Sequence, residues 1–358
     1  MKRVLAVCLA ACLLMAGCAG WMDGSYLSVT PHQQQSGQPQ MGSLQAENYQ
    51  QLRQALDELT QNGVQSSVIY VSGYDAQNVK TDMQNAVRST VEENPIAAYA
   101  VDKILWELGS NGGKAAIAVN ISYLHDRAEI VKIRRVGDLT MANVLVQTEL
   151  KNSSSGLVLY FKNYQNIDFA QMVEDYAFQN PQHVMECPTV TVNVYPNWGT
   201  DRVVELKFTY QNSRDTLREM YQQVHPLFTS AVLFVSGDMA KLEKYSQLYS
   251  FLMMDSDEFR TETSITPAYS LLRHNVGDAR AVATMYAAMC REAKLSCWVI
   301  SGTKNGESYY WNLIEDGGIY YHVDILNSRA AGDFEVRLDE QMSGYVWDFS
   351  AFPASLRE

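Results

Sequence analysis

In its C-terminal third the chain reads Tyr309-Tyr310-Trp311-Asn312-Leu313-Ile314-Glu315-Asp316-Gly317-Gly318-Ile319-Tyr320-Tyr321-His322-Val323-Asp324. Two apolar runs flank the segment Glu315-Asp316-Gly317-Gly318. Asp-Gly or Gly-Gly between apolar runs predicts the tight turn of a β-hairpin. A turn centred on Asp316-Gly317 sets Tyr309 opposite Asp324, whereas a turn centred on Gly317-Gly318 sets Trp311 opposite Asp324. Because strand faces alternate with a period of two residues, Tyr309 shares the face of Asp324 in either register.

The upstream sequence predicts a buried helix followed by a buried strand. Apolar residues recur there at helical spacing, at Val282, Met285, Tyr286, Met289, Cys290 and Ala293. Asp278 precedes this helix and suits its N-cap position. Residues 294–302 then predict a turn and an apolar strand.

These segments together resemble the transglutaminase-like superfamily. The family's Gly-x-Cys-x-x-x-Ala motif matches residues 277–283, which puts Ala279 at the cysteine position. The family histidine precedes a Trp-Asn pair by two residues and falls on Tyr309, and the orienting aspartate falls on Asp324. The resemblance implies that residues 226–358 pack a helix bearing the nucleophile position against an antiparallel sheet bearing the other two positions.

Two of the three family positions lack the chemistry of a catalytic triad. A methyl group at Ala279 cannot attack a carbonyl, and the phenol of Tyr309, with an ordinary pKa near 10, is a poor proton acceptor at neutral pH. Losing one member of such a unit already costs several orders of magnitude in rate. We therefore expect a non-catalytic domain that binds a peptide, protein or cell-wall ligand.

Two other interpretations remain open from the sequence. One is a divergent cysteine-type transglutaminase, peptidase or amidase that uses Cys290, Cys297 or a nearby serine, although both cysteines fit core positions. The other is a purely architectural role without a ligand.

Further residues belong to the predicted pocket. Asp278, Trp311 and Asn312 are expected to line it, and His274 could approach its mouth. His322 is expected to alternate to the face opposite Asp324. No spacing of cysteine and histidine indicates a metal site, and no cofactor is predicted.

The N-terminus resembles that of a bacterial lipoprotein. A short basic start and an apolar run at residues 4–14 precede Leu14-Met15-Ala16-Gly17-Cys18, which resembles a lipobox. Residues 1–17 would then be a signal peptide, and lipidated Cys18 would anchor the protein to a membrane on the extracytoplasmic side. An ordinary secretory signal cut near Ala16 or Gly17 is the alternative.

The charge of the chain argues against two kinds of partner. Its formal charge of −12 becomes −14 when Lys2 and Arg3 leave with the signal peptide. So acidic a protein is a poor candidate for binding nucleic acid or anionic lipid. The mature chain would keep Cys187, Cys290 and Cys297 besides Cys18. Three cysteines, an odd number, do not suggest a set of structural disulfides, although a single disulfide between two of them remains an alternative.

The remaining sequence predicts a tether and a duplication. Residues 18–44 are rich in Gln, Ser, Gly and Pro and read as a flexible tether with a reach of roughly 25 to 30 Å. Residues 66–225 then contain two similar series of strand, helix and hairpin, in which Asn94-Pro95 and Asn180-Pro181 correspond. We predict an α+β protein with repeated modules at residues 45–145 and 146–225, followed by the transglutaminase-like domain.

Overall fold

The computed structural model describes residues 44–235, 237–254 and 258–353. The predicted signal peptide, Cys18 and all but the last residue of the predicted tether lie outside the described residues. Among the residues that are described, no helix is both long and apolar enough to cross a membrane.

The first unit is a four-stranded sheet with helices on one face. Its elements are β1 (Leu44–Gln45), α1 (Tyr49–Gln61), β2 (Ser66–Tyr70), α2 (Val79–Glu93), α3 (Pro95–Ala100), β3 (Val101–Asn111) and β4 (Lys114–Tyr123). The strand order is β1-β2-β4-β3, with β1 parallel to β2 and the other pairs antiparallel. Leucines of α1 pack on Ile69 and Ile117 of the sheet to form the core.

The second unit repeats this topology. After α4 (Arg127–Ile130) come β5 (Arg134–Val136), α5 (Leu139–Lys151), β6 (Gly156–Phe161), α6 (Phe169–Gln179), β7 (Thr189–Tyr195) and β8 (Arg202–Thr209). The order β5-β6-β8-β7 and the strand directions match those of the first unit. The predicted duplication is confirmed, and each copy also contains an initial strand and helix.

The two copies keep a constant offset of 90 residues through their first halves. Asn48 and Asp138 cap α1 and α5, and Asn78 and Asp168 stand at the N-cap positions of α2 and α6. Helix α2 has 15 residues and α6 has 11. The second copy therefore lacks one helical turn, which explains why the Asn-Pro pairs that follow are only 86 residues apart.

The predicted module boundaries need correction. The boundary between residues 145 and 146 falls inside α5, whose Ala142, Val146 and Leu150 all lie in the core of the second unit. The boundary between residues 225 and 226 falls inside α7 (Arg214–Leu233), which packs on the third unit through Leu217 and Val224. Sequence repeats locate similar segments, but a boundary depends on which core buries each apolar face.

The third unit combines helices with a four-stranded antiparallel sheet. Its other elements are α8 (Lys241–Leu252), α9 (Pro267–His274), α10 (Ala279–Glu292), β9 (Cys297–Lys304), β10 (Glu307–Asp316), β11 (Ile319–Val323), α11 (Ile325–Ala331) and β12 (Tyr345–Trp347). The sheet order is β11-β10-β9-β12. Helix α10 is buried along its whole middle and forms the centre of the helical core. The fold of the chain is α+β, as the sequence predicts.

The β10–β11 hairpin adopts the second of the two predicted registers. Asn312 pairs with Val323 and Asp316 with Ile319, so the turn is Gly317-Gly318. Both glycines have positive φ, 60° and 86°, as a type I′ turn requires.

Alternation along β10 gives the sheet two different faces. Tyr310, Asn312 and Ile314 point toward α10, where the Asn312 side-chain amide donates to the Ala283 carbonyl at 2.9 Å. Tyr309, Trp311 and Leu313 point to the other face. There they form a second, aromatic core with Tyr345 and Trp347 of β12.

Candidate functional site

Asp324 is the centre of the predicted site, and its carboxylate is fully engaged. The residue follows β11 and caps α11, where Oδ1 accepts the backbone N–H of Asn327 at 3.0 Å. Tyr309 Oη donates to Oδ1 at 3.1 Å, Tyr345 Oη donates to Oδ2 at 2.6 Å, and Lys304 Nζ donates to Oδ2 at 2.7 Å. Two oxygens thus accept four hydrogen bonds, and the Asp324 side chain is only 4% exposed.

The two tyrosines also hold the lysine in place. Lys304 Nζ lies 4.6 Å from the centre of the Tyr309 ring and 5.1 Å from that of Tyr345, distances at which an ammonium is attracted to a ring face. Burial and the neighbouring Asp324 charge raise the pKa of both phenols well above 10. Tyr309 therefore remains protonated and donates a hydrogen bond, the reverse of what a general base must do.

His322 lies on the same face as Asp324, so the expectation that it points the opposite way is wrong. The two residues are two positions apart along an extended segment, and residues at that spacing point to the same face of a sheet. His322 is buried, Trp311 Nε1 donates to its Nδ1 at 2.9 Å, and its Nε2 lies 2.7 Å from Asp339 Oδ1.

These partners fix the tautomer of His322. The indole N–H can only donate, so Nδ1 accepts and Nε2 carries the proton that is donated to Asp339. Burial lowers the pKa of His322, and the hydrogen bond to Asp339 opposes this shift only in part. With its one lone pair already used, the imidazole stabilises the aromatic core and cannot accept a proton from a substrate.

Asn312 is another buried residue of the predicted pocket, and its side chain hydrogen-bonds to helix α10. Its Nδ2 donates to the Ala283 carbonyl, while its Oδ1 is buried with no hydrogen-bond partner among the described residues. The amide faces α10, on the side of the sheet away from Tyr309. Trp311 and Asn312 therefore do not line one common pocket.

The start of α10 is capped and covered. Asp278 Oδ1 accepts the backbone N–H of Ala281 at 2.8 Å, as predicted for an N-cap, and Thr263 donates to Oδ2 at 2.9 Å. Ala279, the first helical residue, is half-buried. Within the described chain, no hydrogen bond, ion pair or ring contact joins residues 279–282 to Tyr309 or Asp324.

Arg280 attaches this helix start to the second unit. Its guanidinium lies 4.8 Å from the Phe178 ring and 5.6 Å from the Tyr310 ring, and Nη2 lies 3.0 Å from Glu174 Oε1. Phe178 and Glu174 belong to α6. A helix of the second unit thus packs beside Arg280, next to Ala279, in a contact for which the sequence contains no local signal.

The other candidates lie elsewhere. His274 is exposed at the end of α9, with its ring 5.0 Å from that of Tyr269. Cys290 is completely buried, and burial raises the pKa of its thiol well above the ordinary value. Cys187, Cys290 and Cys297 are free thiols. In the described ranges, no group of His, Cys, Asp and Glu residues could hold a metal ion.

Sequence reasoning missed Lys304, Tyr345, Asp339 and Arg280. Tyr345 lies in a segment whose resemblance to the family is weak, and the other three stand in ordinary polar contexts. Their role depends on strand pairing, because β12 lies beside β9 and brings Tyr345 opposite Lys304.

No family model matches the chain, and no curated protein matches its sequence. Among solved structures, the chain is similar to one described as a TGase, with 9% identity over 62% of this chain and 64% of that chain, and a TM-score of 0.27. It is also similar to a candidate protease from Parabacteroides distasonis, with 10% identity over 71% of this chain and 39% of that chain, and a TM-score of 0.22. The chain spans less than two thirds of either protein.

Proposed function

We propose that this protein is a lipid-anchored, extracytoplasmic binding protein whose third unit is a transglutaminase-like domain without catalytic activity. Its ligand would be a peptide, a protein or a cell-wall component. The observation that carries the proposal is the closed arrangement around Asp324, in which the family's histidine position is a protonated tyrosine and all carboxylate hydrogen bonds are used.

The chemistry of the neighbouring groups supports a non-catalytic role. Ala279 offers no nucleophile, and His322 has no free lone pair because Trp311 donates to it. Cys290, the best-placed thiol on α10, is inaccessible to substrate and is disfavoured as a thiolate by its raised pKa. A divergent enzyme that uses Cys290 is therefore the weaker interpretation.

A paired assay tests the absence of catalysis. Full-length wild type and the Ala279→Cys/Tyr309→His variant are compared for amine incorporation into a glutamine peptide and for peptide hydrolysis. We expect wild type to be inactive in both reactions. Wild-type activity that disappears in Asp324→Ala, while circular dichroism shows an intact fold, would overturn the proposal.

Anchoring is tested separately through Cys18. Cells that express wild type or Cys18→Ser are labelled with a clickable palmitate analogue and fractionated. We expect label and membrane association in wild type alone. Equal distribution of both proteins between membrane and soluble fractions would contradict a lipid anchor.

A further inference from the structure

A crevice in the second unit has the features of a binding site unrelated to the family positions. It lies between α5 and α6, beyond the carboxyl ends of the parallel strands β5 and β6, and its volume is about 880 Å³. Ligands of α/β proteins commonly bind at this end of parallel strands. The volume is within the usual range for small-molecule sites, roughly 300 to 1,000 Å³.

The first unit provides an internal control, because there the corresponding space is crossed by charged side chains. Arg53 of α1 pairs with Asp57 at 3.3 Å and with Glu93 of α2 at 2.8 Å, and it also donates to Ser89. At the 90-residue offset, Arg53, Asp57 and Ser89 correspond to Asn143, Gln147 and Gln179, all of which line the crevice. In the second unit, three neutral amide side chains thus replace the ion-pair network that links α1 to α2 in the first unit.

The missing turn of α6 widens the opening. In the first unit the last turn of α2 carries Glu93, the partner of Arg53. Helix α6 ends one turn earlier, at Gln179. The depression that remains beside α2 is smaller, about 580 Å³, and mostly charged residues line it, including Asp82, Arg88 and Glu93.

The lining of the crevice favours an uncharged ligand with many hydroxyl or amide groups. Besides the three equivalent positions, the amides of Asn163, Gln165, Asn166 and Gln171 line it. Each such amide can both donate and accept hydrogen bonds. Apolar and aromatic side chains also line it, namely Leu139, Phe161, Ile167, Met172 and Tyr176.

The charged groups at the crevice argue against an anion, because the three carboxylates of Asp138, Asp168 and Asp175 outnumber the one lysine of the lining, Lys162. Asp138 and Asp168 accept backbone N–H groups at the starts of α5 and α6, at 2.8 and 2.9 Å. Carboxylates therefore already occupy the positively polarised helix ends. Asp175 accepts from the Gln171 side chain at 2.8 Å and so orients one amide in advance.

We infer that this crevice binds an uncharged oligosaccharide. Its mixture of amide donors and acceptors with apolar side chains matches the hydroxyl groups and the C–H faces of sugar rings. An extended peptide would instead be expected beside a free strand edge, whereas helix and loop side chains make up most of this lining. The inference concerns the second unit and does not depend on whether the third unit is catalytic.

Isothermal titration of the full-length protein tests the inference. The probes are the tetramer of N-acetylglucosamine, maltotetraose and an uncharged tetra-alanine amide. Asn143→Arg/Gln147→Asp restores the ion pair of the first unit in the crevice. Val144→Arg/Thr148→Asp places the same pair on the exposed face of α5, outside the crevice, and is the matched control.

We expect at least one saccharide to bind wild type and the control within about twofold, and to bind Asn143→Arg/Gln147→Asp at least about tenfold more weakly, which is about 1.4 kcal/mol. Thermal unfolding checks that both variants fold. Failure of both saccharides to bind folded wild type, or equal binding by the two variants, would overturn the inference. Binding of tetra-alanine amide alone would overturn the assignment to a saccharide.

Discussion

The Asp324 carboxylate accepts hydrogen bonds from donors in four parts of the third unit. They come from β9, β10, β12 and the first turn of α11. Two phenols, an ammonium and a backbone N–H donate to this one carboxylate. These contacts make the Asp324 carboxylate a structural centre of the third unit.

Replacing Asp324 should be strongly destabilising. Asp324→Ala leaves Lys304 and two phenols partly buried without their acceptor, and breaking a buried pair in this way costs about 3 kcal/mol or more of unfolding free energy. Urea unfolding measures the loss. Glu307→Ala, at the exposed first residue of β10, is the control and should lie within about 0.5 kcal/mol of wild type. A small effect of Asp324→Ala would show that solvent replaces the network.

His322 should make stability depend on pH. Because its pKa in the folded protein is below the ordinary value near 6.5, the unfolded chain binds more protons as the pH falls below that value. The stabilising contribution of neutral His322 is therefore fully present above about pH 6.5 and is lost as the pH falls toward the folded pKa.

The His322→Gln variant isolates this effect. It should be less stable than wild type at pH 8 because it disturbs the Trp311 and Asp339 bonds, but it should lose less stability between pH 7 and pH 5. Urea midpoints across that range measure the difference. Parallel pH profiles for the two proteins would mean that His322 has the same pKa in the folded and unfolded states.

At the scale of elements, β12 depends on a close approach at Gly302. A Cβ there would lie 2.3 Å from the Val346 carbonyl oxygen and 2.7 Å from the Trp311 ring. Because glycine has no side chain, Gly302 leaves room for β12 to pair with β9 and to cover the aromatic core.

Gly302→Ala should therefore displace β12. We expect a loss of about 1 to 3 kcal/mol in unfolding free energy, together with faster proteolysis of the segment around β12. Gly109→Ala in β3 is the matched control, because a Cβ there meets no atom within 4 Å. Equal stability of the two variants would contradict a tight β9–β12 contact.

At the scale of the whole molecule, the second unit packs against both neighbours. Ile96, Tyr99 and Ala100 of the first unit pack against Val203 in its sheet. On its other side, Phe178 and Glu174 hold Arg280 at the start of α10. The second unit thus connects the first unit with the third.

Removing the contact to Arg280 should loosen the start of α10. Phe178→Ala removes a cation–π contact worth about 1 kcal/mol, so amide hydrogen exchange in residues 280–284 should accelerate about fivefold. Glu92→Ala, on an exposed position of the equivalent helix in the first unit, should leave that exchange unchanged. Unchanged exchange in Phe178→Ala would show that α10 is stable without the second unit.

The sequence by itself determined the features that depend on local spacing. Glycine placement determined the hairpin, strand alternation put Tyr309 beside Asp324, and helical periodicity located α10 with Asp278 as its cap. Internal similarity revealed the duplication. Each of these follows from contacts between residues near in sequence or from a repeated pattern.

Only the tertiary structure decided which distant residues share an environment. Pairing of β12 with β9 brought Tyr345 and Lys304 to Asp324, and packing between units brought α6 to Arg280. The same holds for the module boundaries and for the crevice between α5 and α6. These contacts join residues far apart in sequence, and burial in a common core, rather than any local pattern, selects them.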